Sequence, residues 1–393
     1  MPVLVIYNPV SGDRSAEAFF DEHVLPLLAQ HGVTPDKVIA TESSGHVGSI
    51  VADYLLSTVH AQPLSIVLGS GDGTLHELIN ELNNAPSSKP FPRIHLALVP
   101  CGTANALYSS LFPPSSQEDP VEYKLKSVKA FVSADPHSVP LNLAVNVLSP
   151  PHVRPPAQAP PKQVSISAVV ASTSLHASIL HDSEALRASD PTIERFKTAA
   201  YQNIARWYYA SVKLFPRKGP EVVEVYDPTA GAFVPHESST EDEPIVDLIG
   251  PFSYFLSTVN VDRLEPAFRI TPKAKELEEG TPAALDLVMV RPMRDPFYTM
   301  DSEETRKAFA EKVGKVLGAA YQDGAHINLR YAEDGSITTE GDGPTVVEYV
   351  RCGGWEWEPV SSLLPAMKPC ANPLRCRTTS TIERIFCART EIS

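Results

Sequence analysis

Three apolar runs in the first hundred residues each lead into a small polar loop that contains glycine. The runs are Val3–Tyr7, Leu64–Leu68 and Ile94–Val99, and the loops are Asn8–Gly12, Gly69–Thr74 and Pro100–Leu107. Apolar runs rich in β-branched residues predict buried strands. Ligands bind at the carboxyl ends of the strands in open α/β sheets. The sequence therefore predicts that the three loops converge on one cleft.

In the segments that follow these strands, apolar residues recur at helical spacing. This spacing predicts amphipathic helices over Phe19–Leu28, Val47–Leu55 and Leu75–Leu82. For the third helix, Thr74 and Glu77 have the spacing of a capping box. Alternating strands and helices predict a Rossmann-like α/β domain with a parallel sheet over residues 1–145.

The pattern changes after residue 145. Short strand-like runs predict a β-rich, sandwich-like domain over residues 146–363, with a helical stretch over Pro191–Lys213 and a strand over His326–Tyr331 among its elements. We expect the ligand cleft to lie between the two domains. Residues 364–393 differ in composition and are predicted to form a divergent, poorly ordered tail.

Composition narrows the classes of function. The 393 residues carry a formal net charge of -14 and have a pI of about 5.3, which argues against nucleic acid as a partner because its binding needs a basic footprint. The five cysteines have no metal-site or disulfide-framework spacing, which favours a reducing compartment. No signal peptide or membrane-spanning run is recognised in the sequence. Together these features predict a cytoplasmic protein.

The three loops together resemble a known family. Asn8–Gly12, Gly69–Glu77 and Pro100–Leu107 occur in the order found in the diacylglycerol kinase catalytic-domain superfamily. Secondary support comes from Thr41–His46, Asp182–Arg187 and Leu285–Arg291, and the Ser-Glu segment followed by arginines is most similar to the sphingosine (long-chain base) kinase branch.

The resemblance implies a lipid kinase that uses ATP and Mg²⁺ to phosphorylate a primary hydroxyl of a sphingoid long-chain base. A diacylglycerol or ceramide kinase-like activity stays open, as does a nucleotide- or lipid-binding homologue with impaired catalysis. NAD kinases have a similar Gly-Asp-Gly-Thr motif, but the Asn8-Pro9 and Pro100–Asn105 loops favour the lipid kinases. A lipid substrate implies transient, peripheral contact with a membrane. Oligomeric state is not predicted.

The resemblance also implies roles for single residues. Asp72 would be the general base that takes the hydroxyl proton, although it could instead only cap the following helix. With Asp72, the small residues Ser70, Gly71 and Gly73 would form the floor under the acceptor hydroxyl. The expected nucleotide contacts are Asn8, Pro9, Val10, Thr41, Glu42, Ser43, Ser44, Gly45, Glu77, Gly102, Thr103, Ala104, Arg187 and Arg195. No metal ligand is assigned.

The chain departs from the family pattern at three places. Ala104 replaces the second glycine of the proline loop, and Leu180 stands where the sphingosine kinase branch has an acid that is thought to hold the substrate. The third departure is the missing Asp-Gly-Glu element near the end, since Glu340-Gly341-Asp342 is reversed and comes earlier. These differences bear on long-chain-base specificity and on the phosphate and Mg²⁺ site.

Overall fold

The computed structural model describes residues 1–57, 62–86, 91–115, 117–149, 163–190, 192–276, 283–360 and 375–389. Within these residues the chain forms two compact units. Unit 1 comprises the described parts of Met1–Leu143, Arg263–Pro266 and Ile382–Ser393, and unit 2 comprises those of Ala144–Asp262 and Ala267–Thr381.

Unit 1 is built on a parallel sheet. Its elements are β1 Val3–Tyr7, α1 Ala16–Phe19, a π-helical turn Phe20–Val24, α2 Leu25–Gln30, β2 Lys37–Ala40, α3 His46–Ser57, β3 Leu64–Ser70, α4 Asp72–Asn84, β4 Ile94–Pro100, α5 Ala106–Leu111 and α6 Pro120–Val132. The first four strands pair in parallel in the order β2-β1-β3-β4. The predicted α/β class is therefore confirmed.

Burial explains why the three predicted strands form. Every residue of β1 and β3 is buried, as expected for a parallel sheet covered on both faces. The edge strand β2 is more exposed. One hydrophobic cluster joins Val5, Val67 and Val99 of the sheet to Phe20 and Leu28 of the first helical segment. The carboxyl ends of β1, β3 and β4 thus reach the same edge of the sheet on a packed support.

Unit 2 is β-rich. After β5 His137–Ser149, which crosses the boundary between the units, its elements are β6 Gln163–Ser167, β7 Val170–Thr173, α7 Ser174–Leu186, α8 Glu194–Asn203, β8 Ala210–Phe215, β9 Glu224–Asp227, β10 Ala232–Pro235, β11 Val246–Ile249, β12 Tyr254–Thr258, β13 Leu285–Val290, α9 Glu303–Ala320, β14 Arg330–Tyr331, β15 Ile337–Thr338, β16 Glu348–Cys352 and β17 Gly354–Pro359. The last strand, β18 Arg375–Arg389, begins in unit 2 and ends in unit 1.

Two sheets of unit 2 share one core. A six-stranded antiparallel sheet runs in the order β10-β9-β16-β13-β12-β7, and β11, β8 and β17 pair antiparallel in a second sheet. A single buried cluster contains Val212 and Trp357 from the second sheet together with Phe255, Leu287 and Val350 from the first. Side chains from two inner faces that meet in this way define a sandwich, so the predicted β-rich class is confirmed as well.

Several predicted elements are wrong in detail. The stretch His326–Tyr331 is a 3₁₀ turn over Ala325–Asn328 followed by the two-residue β14. The predicted helical stretch Pro191–Lys213 contains the shorter α8 and the start of β8. Helices α7 and α9 were not predicted. In the predicted tail 364–393, β18 occupies Arg375–Arg389, and the rest of the tail lies outside the described residues.

No helix within the described ranges is long and apolar enough to cross a bilayer.

A buried ion pair links β13 and β16 inside unit 2. Asp286, which is 3% exposed, accepts hydrogen bonds from Arg351 Nε at 2.8 Å and Nη2 at 3.0 Å. The Tyr349 hydroxyl donates to the same carboxylate at 2.6 Å. Three hydrogen bonds therefore compensate the negative charge of Asp286. Removing one partner of such a pair leaves the other charge buried and uncompensated.

We expect Asp286→Ala to lower the free energy of unfolding of unit 2 by about 3–5 kcal/mol, since it strands the Arg351 guanidinium. Urea unfolding followed by tryptophan fluorescence measures this selectively, because all tryptophans of the chain, Trp207, Trp355 and Trp357, lie in unit 2. Glu194→Ala is the control. It removes an exposed pair with Lys197 and should cost less than about 1 kcal/mol. Equal losses in the two variants would contradict this assignment.

Candidate active site

The loops after β3 and β4 touch through two glycines. A Cβ on Gly102 would lie 2.4 Å from the Cα of Gly71, and a Cβ on Gly71 would lie 3.0 Å from the Cα of Gly102. The ladder between the strands continues up to this point, since Cys101 N donates to Ser70 O at 3.1 Å. Two backbones this close leave no room for a side chain, so glycine is required at position 102 by the approach itself.

Asn105 closes the loop that follows β4. Its side-chain Oδ1 accepts from Gly102 N at 2.9 Å, and its Nδ2 donates to Gly102 O at 2.7 Å. Asn105 holds the left-handed backbone conformation of this loop, with φ of 54°, and Ala104 does not. The alanine that replaces the family glycine is therefore free of left-handed strain. Asn105 is not among the predicted site residues, although asparagine is one of the few residues other than glycine that readily accept this conformation.

Asp72 ties the β3 loop to the start of α5. It is the first residue of α4, and its Oδ2 accepts from Ala106 N at 2.6 Å while its Oδ1 accepts from Leu107 N at 3.1 Å. It thus satisfies two N–H groups at the start of α5. Asp72 is therefore not the residue that precedes α4, which is Gly71, and the N–H groups of Ala106 and Leu107 that its carboxylate accepts belong to α5.

The electrostatics of Asp72 combine two opposing effects. Burial of the carboxyl raises its pKa above the ordinary value, and the N–H groups of Leu107 and Ala106 lower it by less. An aspartate with a raised pKa is a stronger proton acceptor than an exposed one, which suits a general base. A carboxylate has about four lone-pair sites, so the backbone donors do not use all of them and leave room for a ligand.

The loop after β1 is joined to the other two. Asn8 N donates to Gly69 O at 2.8 Å, and Asn8 Nδ2 donates to Thr74 Oγ1 at 3.2 Å. Gly12 has a φ of 54°, and a Cβ there would lie 2.4 Å from Cys101 O. The three loops that the sequence places at one edge of the sheet are therefore in contact. Thr74 lies inside the first turn of α4, so the predicted capping box is wrong.

Glu77 fastens the segment that follows β2. Its Oε1 accepts from Ser44 Oγ at 2.7 Å and its Oε2 accepts from Gly45 N at 3.1 Å. On the same segment, His46 Nδ1 accepts from Glu42 N at 3.0 Å. Both Glu77 oxygens are thus used to hold Thr41–Gly45 against α4, and the segment is brought to the same group of loops.

The remaining predicted contacts are spread over both units. Ser70 is buried and donates to Gly71 O at 3.0 Å. Arg187, at the end of α7 in unit 2, is paired with Glu184 at 3.2 Å and is exposed. Arg195, on α8, is 6% exposed and donates from Nη1 to Thr192 O at 2.9 Å. The predicted residues Pro9, Val10, Thr41, Ser43 and Thr103 lie in the loops of unit 1, and Gly73 is the second residue of α4.

Neither a reactive thiol nor a cluster of metal-binding side chains gives this site a second kind of chemistry. Burial raises the pKa of the Cys101 thiol to about 11, so the thiol is protonated at neutral pH and is not a nucleophile. In the part of the chain that the structure describes, no three His, Cys, Asp or Glu side chains are grouped as metal ligands would be. The joined loops instead offer backbone N–H groups and helix starts, which suit phosphate.

The two glycines at positions 102 and 73 give a matched pair of variants. We expect Gly102→Ala to force the loops after β3 and β4 apart, because its Cβ would meet backbone, and to raise hydrogen exchange of both loops at least about tenfold. Gly73→Ala meets nothing within 4 Å and should leave exchange unchanged, since alanine is favoured over glycine in a helix. Equal exchange in both variants would show that the Gly71–Gly102 contact is not needed.

The Glu77 interaction can be tested by a double-mutant cycle on the Thr41–Gly45 segment. Glu77→Ala removes both hydrogen bonds to this segment, and Ser44→Ala removes one of them. Each variant should raise hydrogen exchange of the segment several-fold, and the double variant should add little to Glu77→Ala, because the Ser44 bond is already lost there. Additive effects would mean that the two side chains act independently.

Comparison with known proteins agrees with the loop pattern. Residues 2–134 match the family model described as "Diacylglycerol kinase catalytic domain". The chain is 35% identical to human sphingosine kinase 1 over 109 residues, which is 28% of this chain and 27% of that protein. It is 33% identical to human sphingosine kinase 2 over 105 residues, or 27% of this chain and 15% of that protein. The match thus spans well under a third of these relatives.

The relatives differ in their named substrates, and the solved structures agree on the fold. Acylglycerol kinase of Xenopus laevis mitochondria is 28% identical over 139 residues, 35% of this chain and 30% of that protein. A crystal structure from Bacillus anthracis, described as that of a proposed diacylglycerol kinase, covers 99% of this chain and 95% of its own with a TM-score of 0.51 and 14% identity. That likeness concerns the fold alone. The predicted resemblance is confirmed, and residues 2–134, about a third of the chain, match the diacylglycerol kinase catalytic domain.

Proposed function

We propose that this protein is a lipid kinase that transfers the γ-phosphate of ATP to a primary hydroxyl of a lipid alcohol, and that the alcohol is a sphingoid long-chain base. The observation that carries the proposal is the position of Asp72 where three glycine-containing loops meet. The names of the relatives, sphingosine kinases and an acylglycerol kinase, support a lipid alcohol as acceptor.

The chemistry needs little covalent help from the protein. Phosphoryl transfer depends on positioning and on neutralising charge. Because the N–H groups of Ala106 and Leu107 already donate to Asp72, the phosphates are left to the first turn of α4 and to the loops Val10–Gly12 and Thr103–Ala104. Asp72 accepts the proton of the attacking hydroxyl. Arg187 and Arg195 are the proposed phosphate-binding side chains of unit 2, where a guanidinium would donate two hydrogen bonds.

Mg²⁺ would bind at this site together with the phosphates of the nucleotide. Since no group of three or more metal-binding side chains is present among the described residues, the protein has no dedicated cage for the ion there. Mg²⁺ commonly binds through substrate phosphates, water and one or two carboxylates. It would neutralise phosphate charge, and Asp72 is the carboxylate at the junction of the loops.

Whether the substrate is a sphingoid base depends on the side chains of α7 that could bind its amine. Leu180, at the position where the resemblance implies an acid, is 45% exposed. Asp182, two residues further along α7, accepts from Asn203 Nδ2 at 2.7 Å and lies 3.0 Å from His181 Nδ1. Asp182 is our proposed partner for the amine of a long-chain base. If it keeps its present partners, a neutral lipid alcohol such as diacylglycerol or ceramide is the better substrate.

A second candidate function is nucleotide or lipid binding without catalysis. It is favoured by the observation that both oxygens of Asp72 already accept backbone hydrogen bonds, which would give the carboxylate a purely structural role. The reversed Glu340-Gly341-Asp342 sequence, in place of the Asp-Gly-Glu element, points the same way.

Asp72→Asn separates the two candidates. It removes the proton acceptor with little change in size, and we expect phosphate transfer from labelled ATP to lipid to fall by about 10²- to 10⁴-fold while ATP affinity stays nearly the same. Hydrogen exchange of α5 must be followed in parallel, because the asparagine amide would face a backbone donor. Asp334→Asn is the control, since Asp334 accepts from Ser336 N in a turn of unit 2 and is none of the predicted site residues, and it should retain transfer. Wild-type turnover in Asp72→Asn would remove Asp72 from the mechanism.

A further inference from the structure

Two polar side chains of unit 2 lie against each other and still have free hydrogen-bonding groups. The rings of His176, in α7, and Tyr254, in β12, meet edge to face with their centres 6.3 Å apart. Among the described residues, the Tyr254 hydroxyl has no hydrogen-bond partner, although Tyr254 is only 2% exposed. The His176 ring uses Nδ1, which lies 2.7 Å from Ser172 Oγ. Its Nε2 and the Tyr254 hydroxyl are therefore both available to a ligand.

The His176 ring is surrounded by protein and yet partly accessible. Burial lowers its pKa to about 4, so the ring is neutral at pH 7. The side chain is nevertheless only half-buried, so part of the ring borders space that a small molecule can enter. A ring that is both desolvated and accessible lines a recess. His176, Ser172 and Tyr254 are called the polar recess below.

The polar recess is held in place by backbone contacts between β12 and the start of α7. Ser174, the first residue of α7, forms a β-bridge with Tyr254, and Leu175 N donates to Ser253 O at 3.3 Å. Ser174 has a φ of 58°, a left-handed conformation that serine seldom adopts and that recurs where ligands are held. The free polar groups are thus presented from a fixed backbone.

The charge around the polar recess limits what it can bind. No carboxylate, ammonium or guanidinium group among the described residues contributes to the pKa shift of His176 or of Tyr254. An ammonium or phosphate group would therefore be buried there without a counter-ion, which is unfavourable.

A neutral hydroxyl fits the free groups of the polar recess. If Ser172 donates to Nδ1 of His176, Nε2 carries the proton and is a donor, and in the other tautomer Nε2 is an acceptor. A hydroxyl both donates and accepts, so it can pair with Nε2 in either tautomer and also with the Tyr254 hydroxyl. The chemistry of the recess therefore matches an uncharged alcohol group.

We propose that the polar recess binds a hydroxyl on the hydrocarbon chain of the lipid substrate, so that a sphingoid base with such an additional hydroxyl is preferred. His176 lies one helical turn before Leu180, and residues four apart on a helix have Cβ atoms about 5–6 Å apart. Leu180 is the position where the resemblance implies a contact with the substrate, so the recess would meet the lipid close to that point. The proposal rests on the proposed function for the identity of the lipid.

The test is equilibrium binding of radiolabelled sphinganine and 4-hydroxysphinganine, which differ by one chain hydroxyl, from detergent micelles without ATP. The wild type should bind 4-hydroxysphinganine about threefold to tenfold more tightly, which is the effect of about one added hydrogen bond. Tyr254→Phe and His176→Leu should each bring the ratio of the two affinities close to one, with the affinity for sphinganine nearly unchanged.

Tyr331→Phe is the matched control. Tyr331 is also 2% exposed and its hydroxyl also has no hydrogen-bond partner, but that oxygen is sealed from solvent and does not belong to the polar recess. Its removal should leave the ratio of the two affinities at the wild-type value. A general loss of folding would lower both affinities together, so it would not imitate a loss of preference.

Two outcomes would overturn the proposal. One is equal affinity of the wild type for the two lipids, or no binding of either. The other is a wild-type ratio in both Tyr254→Phe and His176→Leu. If the ratio depends on the polar recess but the wild type phosphorylates no lipid, the recess stands and the kinase assignment fails. Phosphorylation of both lipids with equal affinity would leave the kinase assignment and remove the recess from substrate recognition.

Discussion

The hydrogen bonds from Ala106 and Leu107 to the Asp72 carboxylate are the interaction on which the candidate site depends. They join the first residue of α4 to the first turn of α5, and so hold the ends of β3 and β4 together. Without this tie, the contact between Gly71 and Gly102 would have to be maintained by the sheet alone. Hydrogen bonds to a charged group are worth about twice as much as neutral ones, so a carboxylate is a suitable side chain for this task.

The same carboxylate is proposed to act as a base, and the two roles set limits on each other. Burial raises the pKa of Asp72, whereas the donated N–H groups and the positive end of α5 favour the ionised form. The ionised form is the one that can take a proton. A site built in this way keeps the base fixed in orientation before substrate arrives, and preorganisation of this kind is a main source of enzymatic rate enhancement.

Much of unit 1 could be predicted because its signals are local. Strands β1, β3 and β4 are continuous apolar runs, and the glycines that follow them mark tight turns. Helix α7 gave a weaker signal, because few of its side chains are buried and its apolar residues form no clear stripe. The 3₁₀ turn at Ala325–Asn328 alternates like a strand in sequence, but Gly324 before it has a φ of 80° and turns the chain.

The partners of the site residues were beyond the reach of sequence patterns. Asp72 and Ala106 are 34 residues apart, and Glu77 and Ser44 are 33 apart, so neither contact leaves a periodic trace. The pairing of Thr74 with Glu77 looked like a capping box because the spacing was right, yet the helix begins earlier, at Asp72, and Glu77 is used elsewhere. Residue types pointed to the loops that meet at this edge of the sheet, and tertiary contacts determine which partners the side chains have there.

The most direct measurement is transfer of labelled γ-phosphate from ATP to sphingosine and to diacylglycerol by the wild-type protein, in mixed micelles with Mg²⁺. The account predicts label in a lipid phosphate, with sphingosine preferred. ATP binding with no label in either lipid would contradict it, and would leave a nucleotide-binding protein in which Asp72 serves only to join two loops.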